Sequence, residues 1–116
     1  MRHGKKGKIL QRKKGPRKAL LRALSYSLIL HEKIKTTEAK AKALKPLIEK
    51  IVFLSRKNDL STRRKLISYL GNKKIVKKLL EQIGPRYLER VGGYVRIIKL
   101  SPRITDAAKM ALIEFV

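Results

Sequence analysis

No carboxylate precedes Glu32. The first 22 residues, MRHGKKGKILQRKKGPRKALLR, hold 10 of the chain's 31 Lys and Arg residues and not one acid. Apolar residues are sparse before Ala19, so residues 1–15 cannot bury a core and are expected to be disordered alone. The chain therefore divides into a basic N-terminal arm, 1–15, and a single domain, 16–116. The arm demands a partner with dense negative charge, and the domain serves as its platform.

The excess of positive charge is not confined to the arm. The formal net charge is +23 over 116 residues. Residues 23–116 alone hold 21 basic and 8 acidic side chains. Such self-repulsion opposes a compact free state, and a polyanion relieves it. Nucleic acid fits best and an anionic membrane second. With 43% hydrophobic residues the chain still has enough apolar surface for one core. There is no cysteine, which excludes disulfides and thiolate metal sites. No run of 18 apolar residues offers a membrane-spanning helix. The N-terminus lacks the apolar segment and small-residue cleavage site of a secretory signal. It is Lys-rich and acid-poor like a transit peptide, but Pro16 and the glycines break any amphipathic helix there.

Pro16 suits the first turn of a helix. Leu20, Leu21, Leu24 and Leu28 then recur at helical spacing, predicting a helix over 16–31. Lys33 to Thr36 reads as a short strand. Thr36 or Thr37 caps a second helix, and Glu38 suits its positive first turn. Leu44, Leu47, Ile48, Ile51, Val52 and Ser55 form its stripe. Pro46 inside it implies a kink or a late start at Lys45, and the apolar period on both sides favours the kink. Asp59 or Ser61 caps a third helix carrying Leu66, Ile67 and Leu70 inward. Gly71-Asn72 stops it and restarts a fourth with Ile75, Val76, Leu79, Leu80 and Ile83, ended by Gly84-Pro85. After a further turn towards Val91 the period changes. Tyr94 to Leu100 and Met110 to Val116 read as antiparallel strands around a nine-residue connection. A lone hairpin is marginal, so the Ile34 strand is expected as a third member and the helices as cover for one face. Ile97, Ile113 and Phe115 are assigned to that face, with Tyr94, Arg96 and Lys99 towards the partner. The fold class is α+β, two-layered: helix–strand–three helices–two strands.

Catalytic chemistry is poorly provided for. Two histidines without cysteine make no metal site. His31 and Glu32 are neighbours in sequence and do not face each other on a helix, so His31 reads as a C-terminal residue favoured by the helix dipole. The acids are scattered, and no phosphate loop of G-x-x-x-x-G-K spacing is present. The chain is read as a non-enzyme without cofactor, metal or small-molecule substrate.

The basic residues carry the signal. In the arm the candidate nucleic-acid contacts are Arg2, His3, Lys5, Lys6, Lys8, Arg12, Lys13 and Lys14. Arg17, Lys18 and Arg22 extend them onto the first helix. Further candidates are Arg63, Arg64, Arg86, Arg90 and Arg96, since Arg meets phosphate bidentately and stacks on bases. Of the four tyrosines, Tyr94 is the candidate for base stacking, while Tyr26 and Tyr69 read as core edge. The third and fourth helices also outline a helix-turn-helix, whose Lys73, Lys74, Lys77 and Lys78 would line a DNA groove. That outline is generic, and its second helix has few side chains able to read base edges beyond Asn72 and Gln82.

Three stretches taken in order are more specific: MRHGKKGKIL, LLRALSYSLILHEKIKTTEAKAKALKPLIEKIV and GPRYLERVGGYVRIIKL. Across its whole length the chain closely resembles the bacterial large-subunit ribosomal protein L-seventeen family. The family usually has Arg where this chain has Gly4, and often a variable extension after the position of Val116. The resemblance implies the same two-layer fold and a structural role in the large ribosomal subunit. It also implies large-subunit rRNA as the partner, a place near the peptide exit region in the cytoplasmic ribosome, and neighbouring ribosomal proteins. It chooses rRNA over DNA, which the residues alone leave open.

Overall fold

The computed structural model describes residues 13–116. Its elements follow in the expected order: α1 (Lys14–His31), β1 (Lys33–Thr37), α2 (Glu38–Ser55), α3 (Leu60–Leu70), α4 (Lys73–Lys78), β2 (Val95–Lys99) and β3 (Met110–Phe115). The α+β class holds. Helix α1 starts at Lys14 rather than Pro16, so Lys14 and Gly15 belong to the helix.

Each boundary has a local cause. Glu32 closes α1 in the left-handed conformation, φ 66°, with its N–H donating to the Leu28 carbonyl at 2.7 Å. That conformation is uncommon for a residue with a side chain. The Thr37 hydroxyl accepts the Lys40 N–H at 3.3 Å and caps α2. Helix α2 runs through Pro46 without a late start. Pro46 is exposed and lies off the buried stripe of α2. Asp59 accepts from the Thr62 N–H at 2.8 Å, and the Asn72 side chain accepts from Lys74 and Ile75. Gly71 sits between α3 and α4 at φ 70°, the left-handed turn that favours glycine there.

The fourth helix departs from its expected course. After Lys78 it widens into a π turn over Leu79–Ile83, then tightens into a 3-10 turn over Gly84–Tyr87. Leu79, Leu80 and Ile83 are all buried in that turn. Gly84 does not break the backbone, since its φ of −52° is helical. It is glycine because a methyl group there would overlap the Ser55 carbonyl oxygen and stand 3.0 Å from Ser55 Oγ. The chain passes directly against the end of α2 at this point.

The sheet order is β1-β3-β2, all antiparallel, with β3 in the centre. Ile34, Ile113 and Ile97 stand side by side across the three strands. Ile113 is fully buried, Phe115 is buried, and Ile34 and Ile97 pack against the core. This is the helix-facing side assigned from sequence, except that Lys99, opposite the buried Ala111, shares it with Ile97 instead of facing away with Arg96; α2 packs against all three strands. Alternation places Arg96, Ile98, Leu112 and Glu114 on the other side. The core between the layers is built from α1 (Leu28, Ile29), α2 (Leu44, Ile48, Ile51), α3 (Leu66) and the π turn.

Candidate nucleic-acid interface

All eight acids lie within the described residues, and most are already engaged. Glu32 pairs with Arg86 and, at 3.7 Å, with Lys78; Glu38 pairs with Lys42 at 2.7 Å. Glu114 pairs with Arg96 at 2.7 Å, and Asp106 with Arg103 at 3.2 Å. Asp59 caps α3, while the Glu49 carboxylate accepts the backbone N–H groups of Tyr94 and Val95 at 3.1 and 3.2 Å. Only Glu81 and Glu89 have no such partner among the described residues. Five of the 31 cations lie at positions 2–12, which leaves 26 against these acids. Negative charge is thus spent on holding the fold, and the surplus is positive.

The pKa shifts follow from the same contacts. The Arg86 hydrogen bond holds the Glu32 carboxyl below the ordinary glutamate value, and Lys78 adds to it. Lys42 lowers Glu38 in the same way, and the Thr62 N–H lowers Asp59. Burial raises the Tyr87 phenol, whose hydroxyl donates to the Val116 carbonyl at 2.8 Å.

The candidate contacts fall into distinct groups. Arg2, His3, Lys5, Lys6, Lys8 and Arg12 lie outside the described residues. Lys13, Lys14 and Lys18 are exposed at the start of α1, and Arg17 is half-buried. Arg22 is exposed, with its Nε donating to the Tyr69 carbonyl at 3.0 Å, which ties α1 to the end of α3. Arg63 is half-buried and Arg64 exposed; neither has an ion pair among the described residues. Arg86 and Arg96 are exposed but committed to Glu32 and Glu114. Arg90 is exposed and donates to the Gly92 carbonyl at 3.2 Å. Helices α1, α3 and α4 pack against one another, so α1, which carries Lys14, Arg17, Lys18 and Arg22, lies against the α3–α4 pair, which carries Arg63, Arg64, Lys73, Lys74 and Lys77.

Tyr94 is a correction. Its side chain is 1% exposed. The ring packs 5.3 Å from that of Tyr87, and its hydroxyl donates to the Arg90 carbonyl at 2.8 Å while accepting from Arg56 at 3.2 Å. No face is left for a base. Tyr69, assigned to the core edge, is instead 40% exposed, with Lys50 Nζ 5.3 Å from its ring centroid. Lys78 is a second correction: it donates to the Leu30 carbonyl at 2.8 Å as well as facing Glu32, so it is not free to line a groove. The α-helical part of α4 is also only six residues long.

Sequence reasoning passed over Arg56 and Glu49. Arg56 joins the end of α2 to Tyr94 and to the Leu88 carbonyl, at 3.0 Å, and lies 5.1 Å from the Phe53 ring centroid. Glu49 secures the start of β2. Both sit off the apolar stripe of α2 and act on residues about 40 positions away, so periodicity gives no sign of them.

Among the described residues no group of acids or histidines could hold a metal ion, and no helix is long and apolar enough to cross a membrane. The sequence model of the family described as ribosomal protein L17 matches residues 20–116. Two relatives called large ribosomal subunit protein bL17 match over the full chain. The one from Paramagnetospirillum magneticum is 48% identical, with 83% of its length covered. The one from Thermodesulfovibrio yellowstonii is 50% identical, with 87% covered. A third of the same name, from Natranaerobius thermophilus, is 50% identical over 109 residues, covering 94% of this chain and 96% of the relative.

Proposed function

We propose a function from one premise: the chain belongs to the ribosomal protein L17 family. It is a structural protein of the large ribosomal subunit. Its work there is to bind large-subunit rRNA near the peptide exit region, beside other large-subunit proteins, in the cytoplasmic ribosome. It performs no catalysis and carries no cofactor.

The observation that carries this reading is the division of charge. Six of the eight acids are held in ion pairs or backbone caps. Cations such as Arg64, Lys65, Lys73, Lys74 and Lys77 are exposed and have no carboxylate partner among the described residues. An uncompensated cationic surface of this kind favours a phosphate backbone and releases its counterions on binding. The arm, residues 1–15, of which Lys14 and Gly15 already belong to α1, adds its cations to the same partner. Arg2, His3, Lys5, Lys6, Lys8 and Arg12 approach RNA from it, and Lys13, Lys14, Arg17, Lys18 and Arg22 continue the track along the start of α1. Arg63, Arg64 and Arg90 contribute from the domain, while Arg86 and Arg96 are paired with Glu32 and Glu114.

Sedimentation of a tagged chain through a sucrose gradient tests the reading. It is expected to travel with the large subunit and to leave it only in strong salt. A chain found free, or with DNA, would overturn it.

A further inference from the structure

A groove of about 400 Å³ runs between α1, α2 and α3. Leu21, Leu47 and Ile51 form its apolar wall, Lys18 and Arg22 stand at its rim, and Tyr69 lines it from α3. None of its lining residues is acidic. Tyr69 is the most exposed tyrosine of the chain. Lys50 adds a third cation close to its ring. The Arg22 hydrogen bond to the Tyr69 carbonyl fixes rim and ring relative to each other.

We propose that this groove takes one unpaired nucleoside of RNA, with its base stacked on Tyr69 and the chain phosphates that flank it held by Lys18, Arg22 and Lys50. The inference rests on the rRNA-binding reading above and names the subsite that would use it. Three features select the occupant. A flat ring beside an apolar wall fits a base, and unstacked bases of single-stranded RNA are commonly held on aromatic side chains. Cations at the rim without any acid suit a phosphate on either side of that base. The volume lies at the lower end of small-ligand sites, of order 300–1,000 Å³, which suits one nucleoside and not a duplex. An apolar side chain from a neighbouring protein would fill the wall but bring no anion to the three cations.

The test is filter binding of full-length chains to purified large-subunit rRNA at several salt concentrations, with a melting curve for each variant to verify folding. Tyr69→Leu keeps apolar bulk but removes the ring. It is expected to weaken binding about 5- to 150-fold, the equivalent of one lost stacked base, without changing the salt slope. Tyr69→Phe retains the ring and is expected to bind like the parent chain. The chain contains no tryptophan. A Tyr69→Trp variant therefore has a single indole, whose emission is expected to be quenched when rRNA binds. If the parent binds rRNA with a steep salt dependence while Tyr69→Leu binds equally well and the indole is not quenched, the nucleoside site is overturned and the general reading stands. If the parent itself does not bind rRNA, both fall. Loss of a neighbouring protein from assembled subunits, with rRNA affinity unchanged, would make the groove a protein-docking site and also overturn the proposal.

Discussion

Ile113→Ala is the sharpest probe of the fold. Ile113 sits at the middle of β3, paired with Ile34 on one side and Ile97 on the other, and is fully buried. The substitution removes three buried carbons, about 0.8 kcal/mol each, or roughly 2.4 kcal/mol of transfer free energy. A central strand held on both edges cannot collapse into the space, so a cavity cost adds to this and brings the loss to about 3–4 kcal/mol. For a domain of this size the melting temperature should fall by about 15 °C. The matched control is Ile98→Ala, on the opposite side of the neighbouring strand, where the side chain is 41% exposed. Its cost should stay below about 1 kcal/mol. Urea denaturation of both variants, followed by circular dichroism, measures the difference. Because one residue of register slip exchanges the two faces, equal losses, or a larger loss for Ile98→Ala, would refute the register and the side of the sheet assigned to the core.

Three further outcomes are expected. Gly84→Ala should destabilise by about 1–3 kcal/mol, because its methyl meets Ser55 backbone rather than a movable side chain; an unchanged urea midpoint would show that the two segments do not touch. The Glu32 carboxyl is held below its ordinary value of 4.5 by Arg86. The stability it contributes is therefore present above about pH 4.5 and lost as the pH falls through the lower folded value. Glu32→Gln should lower stability at neutral pH and flatten the acid limb of the melting-temperature profile, and a limb as steep as the parent's would remove Glu32 from its cause. Affinity for large-subunit rRNA should fall steeply with salt. If the arm neutralises about 6–8 phosphates, the log–log slope should lie on the order of −4 to −7, and a slope near zero would mean that apolar or base contacts dominate.

The sequence made the elements legible because their boundaries are local. Thr37, Asp59, Asn72 and Gly71 each act on backbone within four residues, and each does what its chemistry implies. The helix-facing side of the sheet was legible for the same reason, since β-strand alternation fixes Ile97, Ile113 and Phe115 together. What escaped depends on contacts across the fold. Gly84 looks like a helix stop in sequence, yet its reason is the backbone of Ser55, 29 positions earlier. Tyr94 stands at a strand start and Tyr69 in the last turn of a helix, but neither setting decides exposure, and only tertiary packing encloses the first by Tyr87, Arg56 and Arg90 and leaves the second open. Arg86, Arg96 and Arg64 likewise look equivalent as charges. The structure separates them by giving the first two a carboxylate.

The central claim is that this chain holds large-subunit rRNA through its cations, with the N-terminal arm as the principal anchor. The most direct measurement compares two proteins of equal charge. One lacks residues 2–12 and with them Arg2, Lys5, Lys6, Lys8 and Arg12, while retaining all of α1. The other is full length, with Arg64, Lys65, Lys73, Lys74 and Lys77 changed to Gln, all exposed and without ion pairs among the described residues. Each loses five charges, so both carry the same net charge and the same bulk attraction to RNA. At one fixed salt concentration the account predicts that the shortened chain binds large-subunit rRNA more weakly than the five-Gln chain. Equal affinity, or weaker binding by the five-Gln chain, would contradict it and place the anchor on the helices.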